Sequence, residues 1–233
     1  MTEHIIEAHE LVKTYRNGEN TINPLSGANL EVAEGEFVTV MGPSGSGKST
    51  LLHILGGLDH QDSGTCRVAG VELTGLSESR LSDFRAANVG FVFQSFNLIP
   101  VLSAADNVEL PLRMFRMSAG RRKEQVMTAL ELVNLADRAD HLPSQLSGGQ
   151  EQRIAIARAL VTDPKVILAD EPTGNIDEES SSEVTTILRR LATEQRKTVV
   201  IVTHDSEVTK EADRILLFAH GRLSEKVSYP SAK

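Results

Sequence analysis

Three sets of residues have the types and the spacing to act on phosphates. The first is Gly42-Pro43-Ser44-Gly45-Ser46-Gly47-Lys48-Ser49, which satisfies G-x-x-x-x-G-K-[ST] at every fixed position. Glycines let a backbone wrap closely round a phosphate with its N–H groups turned inward. A helix opening directly after the loop adds a field that favours anions. Lys48 places a positive charge at the β- and γ-phosphates, the Ser49 hydroxyl is placed to ligate Mg2+, and Thr50 closes the nucleotide-binding stretch. The second set is Asp170-Glu171, two carboxylates after the apolar run Val166-Ile167-Leu168-Ala169. A buried strand that ends in such a pair offers Asp170 to Mg2+ through water, and Glu171 as the group that orients or deprotonates an attacking water. The third is His204, directly after the apolar run Thr198–Thr203. It either hydrogen-bonds a γ-phosphate or caps a helix that starts near Asp205.

These residues need elements to carry them to one place. Short apolar runs at 36–41, 89–93, 166–169 and 198–203 read as strands, and the last two are continuous rather than alternating. Continuous runs mark strands buried on both faces, as in a parallel sheet covered by helices. Helices are expected at 49–55, 150–161 and 178–193. Strands alternating with helices indicate an α/β fold. The N-terminal part differs. Shorter strands at 5–11, 28–32 and 66–71, separated by turn signals such as Asn17-Gly18, predict a small antiparallel sheet beside the parallel core. Between residues 103 and 145 the pattern turns helical. Its clearest helix, 124–135, carries Val126, Ala129, Leu130 and Val133 at three- and four-residue spacing. This region reads as a helical insertion. The polar tail at 228–233 is expected to fray.

Composition narrows the function. The 233 residues carry a net charge of −8, 4 % aromatics and no tryptophan, which argues against a nucleic-acid footprint of basic residues or stacking rings. The lone Cys66 has no partner for a disulfide or a thiolate metal site. Met1-Thr2-Glu3-His4 does not start a signal peptide, and no run approaches the roughly 20 apolar residues of a membrane span. The chain is therefore expected to be soluble, and held at a membrane only through another protein.

One further stretch points to a family. Leu146-Ser147-Gly148-Gly149-Gln150, opening a helix shortly before the acidic strand, resembles the signature of ABC-type ATPases. The order Lys48, Gln94, Ser147, Asp170, His204 agrees with it, and the resemblance runs from about residue 5 to 226. It implies a P-loop NTPase (RecA-like) parallel-sheet core with an N-terminal antiparallel β subdomain and an inserted α-helical subdomain. The whole chain, 1–233, is then one ATPase domain. Its core is about 1–94 and 163–226, its helical signature subdomain about 95–162, and its tail 227–233. The cofactors implied are ATP and Mg2+. The resemblance casts Tyr15 as the aromatic that stacks on adenine, the alternative being a half-buried strand residue. Gln94 becomes an Mg2+ ligand that senses a transmembrane partner, and His204 a switch histidine. Leu146, Ser147, Gly148, Gly149 and Gln150 become the surface that binds the γ-phosphate of ATP held by a second copy. Asp177, in Gly174-Asn175-Ile176-Asp177, lies in the loop crossing between the copies, and also has the place of an N-cap. ATP then joins an ATP-dependent homodimer with two composite sites.

The runs at 55–59, 89–100, 107–111 and 168–175 resemble the macrolide-export, lipoprotein-release and cell-division branch of these ATPases. That branch implies an integral-membrane permease with a large external domain, fused to the ATPase in some members and expected to be separate for a chain ending at Lys233, and a hydrophobic, amphipathic or peptide substrate. It also implies a place on the cytoplasmic face of the membrane, and no nucleic-acid partner. A mechanotransmission ATPase that moves no substrate fits the same residues. A non-transport ABC ATPase is disfavoured by the absence of long insertions, and an inactive module by the presence of Lys48, Asp170, Glu171 and His204. Phe96, Leu98 and Ile99 are expected either in the core or lining a permease-docking groove. One departure stands beside the signature: Glu151 occupies a place where this branch usually has glutamine, pointing either away from the nucleotide or toward it.

Overall fold

The structure, a computed structural model, describes residues 4–18 and 20–225. The expected tail at 228–233 lies outside the described residues. In chain order the first half comprises β1 (His4–Asn17), β2 (Asn20–Ala33), β3 (Phe37–Met41), α1 (Lys48–Leu55), β4 (Ser63–Val68), β5 (Val71–Glu72), α2 (Glu78–Asn88), β6 (Val89–Val92) and α3 (Ala104–Glu109). There follow α4 (Ala119–Leu132), α5 (Gly148–Leu160), β7 (Val166–Asp170), α6 (Glu178–Gln195), β8 (Thr198–Thr203), α7 (Ser206–Lys210), β9 (Arg214–Ala219) and β10 (Arg222–Glu225).

Two sheets result. A four-stranded antiparallel sheet has the order β2-β1-β4-β5, and a six-stranded sheet the order β10-β9-β3-β8-β7-β6. The second is parallel except where β10 turns back along β9. Its central strands feed two cores at once. Val199 and Ile201 pack with α4, α5 and α6, whereas Val200 and Val202 pack with α1 and the antiparallel sheet. Period-two alternation with apolar residues on both faces is what makes the run at 198–203 continuous. The strand ends carry the chemistry, because β3, β7 and β8 deliver the phosphate loop, Asp170 and His204 to one rim.

The helical region between β6 and β7 is tied to this sheet by α5. Ile154, Ile156 and Ala157 of α5 are fully buried in the core it shares with β7 and β8. Against β6 the approach is so close that a Cβ at Gly90 would stand 2.4 Å from the Ala159 carbonyl oxygen. Helix α4 starts at Ala119, ahead of the expected 124, because Ser118 accepts the Arg121 N–H and opens a first turn whose polar residues leave no apolar pattern. The expected strand at 66–71 divides at Ala69-Gly70, both at positive φ, into β4 and β5. Cys66 is buried, and burial pushes its thiol up to about 12, so it is inert. No helix among the described residues is long and apolar enough to cross a membrane.

Candidate functional site

The glycine-rich loop joins β3 to α1. Lys48 is buried, and its Nζ donates to the carbonyls of Gly42 (2.8 Å) and Pro43 (3.0 Å), which hold the ammonium inside the loop's own curve. Gly47 has φ 110°, and a Cβ there would meet the Pro24 carbonyl oxygen at 2.4 Å, so no other residue fits. Gly47 also leaves the first amides of α1 without a side-chain cap, and the Ser46 hydroxyl is buried without a partner among the described residues. A buried ammonium, uncapped helical N–H groups and an unpaired hydroxyl in one concave turn fit a phosphate group.

Across the rim, Asp170 ends β7. Burial pushes its carboxyl above the usual range, with Glu171 adding to the rise, while the Ser49 hydroxyl, His53 and Lys48 oppose it. A carboxylate beside a hydroxyl is a hard-oxygen pair suited to Mg2+. The structure therefore brings Ser49 and Asp170 together, but it directs Gln94 elsewhere. The Gln94 amide donates to Asn175 Oδ1 (3.4 Å), and Asn175 Nδ2 returns a bond to the Gln94 carbonyl (3.1 Å).

Glu171 adopts a left-handed backbone, φ 46°, which costs a non-glycine residue about 1 kcal/mol or more. Its N–H donates to the Val202 carbonyl (2.9 Å), so the turn is locked to β8. The carboxylate is then fixed from three directions. Oε2 accepts from Thr203 Oγ1 (3.0 Å) and from the His204 N–H (3.2 Å), and Oε1 faces His204 Nδ1 at 3.0 Å. The capping alternative for His204 is resolved by its neighbour: Asp205 accepts the Glu207 N–H and caps α7, leaving the imidazole largely exposed on the rim.

The signature opens α5. Ser147 Oγ accepts the Gln150 N–H (3.3 Å) and Gln150 Oε1 accepts the Ser147 N–H (3.0 Å), a reciprocal capping box. Gly148 lies 3.6–3.7 Å from Ile176, Asn175 and the Phe96 ring, measured from a built Cβ, and Gly149 packs on Ser180, where a Cβ would fall 2.2 Å from Oγ. Asp177 is the N-cap of α6, accepting from the Ser180 N–H (3.0 Å) and the Ser180 hydroxyl (2.8 Å). Next along α5, half-buried Glu151 has its carboxyl pushed up by burial. The fully buried Gln152 then donates to the carbonyls of Phe93 (3.3 Å) and Pro172 (2.7 Å), joining the signature helix to the segments carrying Gln94 and Glu171.

Tyr15 lies on β1 and is 40 % exposed, which suits a stacking surface and equally a half-buried strand residue. Its hydroxyl donates to Asp59 Oδ2 at 2.5 Å, and Lys13 Nζ stands 5.0 Å from the ring centroid. Of the three candidate docking residues, Phe96 lies beside Gly148, Leu98 packs on the helical core and Ile99, 40 % exposed, is held through its backbone by buried Asn107. A groove of about 430 Å3 does open nearby, lined by Leu58, Ala86, Phe91, Phe93, Pro111 and Thr162 among others. Its two phenylalanine rings stack 5.7 Å apart. Thr203, Asp59 and Gln152 were not anticipated as site residues. Their only linear signals were polar residues beside motifs, since their partners lie 32, 44 and 59 positions away.

With this geometry in place, comparison with known proteins is direct. The family model for ABC transporters matches residues 25–174. The lipoprotein-releasing system ATP-binding protein LolD of Bordetella pertussis is 50 % identical over 218 residues, covering 94 % of each chain. The macrolide export ATP-binding/permease protein MacB of Rhodopirellula baltica is 46 % identical over 225 residues, 96 % of this chain but 33 % of that longer protein. Among solved structures, the dimeric post-hydrolysis state of the ATP-binding cassette MJ0796 of Methanocaldococcus jannaschii, bound to ADP and Pi, superposes with a TM-score of 0.87 at 42 % identity, covering 96 % of this chain and all of that one. This chain thus belongs to the ABC transporter family, as an ATP-hydrolysing ATP-binding subunit of the macrolide-export and lipoprotein-release type.

Proposed function

We propose that two copies of the chain close on two ATP molecules, each held between the phosphate loop of one copy and the signature of the other, and that this cycle drives an integral-membrane permease. The observation that carries the reading is the placement of the signature. Gly148 and Gly149 pack on Phe96, Asn175, Ile176 and Ser180, none of them in the phosphate loop. The helix N-termini of α1 and α5 are therefore two separate anion-facing half-sites, and a two-fold axis completes both. The related cassette was solved as a dimer, which supports the same arrangement.

Within each site the roles follow from position. Lys48 and the loop amides bind the β- and γ-phosphates. Ser49, and Asp170 through water, would hold Mg2+, which would supply charge neutralisation at the phosphates, and Gln94 would be a further ligand once freed from Asn175. Glu171 orients the attacking water and takes its proton, while Thr203 and His204 keep the carboxylate aimed. Tyr15 supports the base. Asp177 and its loop cross between the copies.

The groove beside Phe91 and Phe93 suits an amphipathic helix of the permease. It abuts the Gln94 segment, so occupancy there acts on the nucleotide site. The chain then works at the cytoplasmic face of the membrane, on a permease with a large external domain that exports or extracts a hydrophobic, amphipathic or peptide substrate.

Complementation tests the composite site. Lys48→Ala destroys one half-site and Ser147→Arg the other. Neither variant should associate on adding ATP, whereas an equal mixture should form a heterodimer with one intact site. Hydrolysis by monomeric Ser147→Arg at the native rate would overturn the proposal.

A further inference from the structure

The loop that follows α1 reaches back to β1 and grips the segment carrying Tyr15. Helix α1 ends at Leu55, where Gly56 donates to Leu52 and Leu58 to His53 (2.7 Å), and Gly57 takes positive φ. A Cβ at Gly56 would lie 1.9 Å from the Phe91 ring, so the turn is pressed flat against the core. This sharp stop aims Asp59 at β1. Asp59 Oδ2 accepts from the Tyr15 hydroxyl at 2.5 Å, and Oδ1 accepts from Lys13 Nζ at 2.7 Å and from the His60 N–H at 2.7 Å. Lys13 Nζ also donates to the His60 carbonyl (2.6 Å), and Asp62 accepts the Thr14 N–H (2.7 Å).

Each of these contacts is short, and several are charge-assisted. Burial alone would raise the Asp59 carboxyl. The Lys13 ammonium, the Tyr15 hydroxyl and the His60 N–H outweigh it and hold the group below its ordinary value, hence ionised at neutral pH. Lys13 is itself almost fully buried, with its ammonium beside the Tyr15 ring. Tyr15, 40 % exposed on the sheet surface, thus has its ring pinned at the hydroxyl edge and backed by a cation.

We propose that Asp59 is a positioning residue for the nucleotide base: through Lys13 and Tyr15 it fixes the stacking surface relative to the helix that carries the phosphate loop. The inference rests on the reading of Tyr15 as the base platform. Asp59 acts through Lys13 and Tyr15. It sets the distance and tilt between the two ends of the site, because its own segment continues directly from α1. A preoriented ring binds the base without first losing side-chain freedom, and that saving is what Asp59 contributes to affinity.

The test compares a ligand with a base to one without. Binding of ATP and of inorganic tripolyphosphate, both with Mg2+, is measured for the wild type, Tyr15→Ala, Tyr15→Phe, Asp59→Asn and Asp59→Ala. Asp59→Ala should weaken ATP binding about five- to tenfold, and Tyr15→Phe by a similar factor, since each deletes one side of the same charge-assisted hydrogen bond. The Tyr15→Phe/Asp59→Ala pair should be no weaker than Asp59→Ala alone, and tripolyphosphate affinity should stay within about twofold throughout. Asp59→Asn, which keeps an acceptor, should recover part of the loss. Equal weakening of ATP and tripolyphosphate by Asp59→Ala would make Asp59 a support of α1 and overturn the inference. Unchanged ATP binding in Asp59→Ala alongside weakened binding in Tyr15→Ala would overturn it while leaving the platform standing. Unchanged binding in Tyr15→Ala would remove the platform itself.

Discussion

His204 Nδ1 stands 3.0 Å from Glu171 Oε1, while the backbone N–H of the same histidine donates to the other oxygen of that carboxylate. Two contacts from one residue, with Thr203 as a third, hold Glu171 on a left-handed turn that it would not adopt alone. The carboxylate is aimed before any nucleotide arrives.

Replacing Glu171 by Gln keeps an acceptor for Thr203 and for the His204 N–H but removes the base. Turnover should fall on the order of 10²–10⁴-fold, the usual worth of a positioned general base. ATP binding should survive, so an ATP-loaded dimer should accumulate and elute ahead of the monomer in size-exclusion chromatography. His204→Ala should lower turnover less than Glu171→Gln, because the Thr203 contact remains. Native phosphate release from Glu171→Gln would remove Glu171 from this role.

Asp170 gives a prediction in pH. Its carboxyl is raised by burial, so the folded chain holds that proton more tightly than the unfolded chain does. The contribution to stability is complete below the unfolded value and is lost as pH rises through the raised folded value. Above the unfolded value the group is therefore a net cost to the nucleotide-free protein. Asp170→Asn should raise Tm at pH 7, on the order of 2–4 °C for each kcal/mol relieved, and the gain should shrink as pH falls into the carboxylate range. Adding Mg2+ and ATP should reverse the order, stabilising the wild type and not the variant. A Tm gain that persists unchanged at acid pH would count against the electrostatic cause.

How far the sequence carried this site depended on the distance over which each contact acts. The phosphate loop was legible because its geometry is largely local: Lys48 is held by the Gly42 and Pro43 carbonyls, within six positions, although the close approach of Pro24 to Gly47 is not local. The strand at 198–203 was legible because both faces of one strand are buried, which leaves a continuous apolar run. Helix α2 left almost no pattern, since only Leu81 and Phe84 of its residues are buried. Strand β9 owes its place to pairing with β3, across most of the chain, and β10 only lines its edge. Asp59 lay within a run that marked the branch, yet its bond to Tyr15 spans 44 positions and left no linear trace. The N-cap place of Asp177 was readable, and its cap on the Ser180 N–H is present.

Gly149 is held by packing within the chain. A Cβ there would fall 2.2 Å from Ser180 Oγ and 2.5 Å from Ser180 Cβ, at the start of α6. Gly149→Ala should destabilise by about 1–3 kcal/mol, the usual cost of overpacking, seen as a lower midpoint in urea unfolding. Ser180→Gly removes both clashing atoms, so the double variant should recover part of that loss. Gly148 meets its neighbours only at ordinary contact distance, and Gly148→Ala should leave the midpoint nearly unchanged while weakening ATP-driven dimerisation. A fully stable Gly149→Ala protein would show that the helix ends yield more easily than their close contact implies.

The groove between α2 and the signature helix predicts how the permease engages. Leu58 is 45 % exposed at its edge and Ala86 lies half-buried on α2, both outside the phosphate loop and away in sequence from Glu171. A carboxylate introduced at either site meets the apolar floor formed by Phe91 and Phe93 and must be desolvated when a helix docks. Leu58→Glu and Ala86→Glu should therefore keep basal ATPase activity within about twofold, yet abolish stimulation by the reconstituted permease. The loss at the interface should exceed tenfold in affinity, as expected when a charge is buried in a contact, Arg85 and Arg158 of the same lining being already engaged by the carbonyls of Gly57, Asn97 and Phe96. Ile99→Glu, outside the groove lining, should couple normally. The reverse pattern, with coupling lost in Ile99→Glu and kept in Leu58→Glu, would move the docking surface to the loop after Gln94.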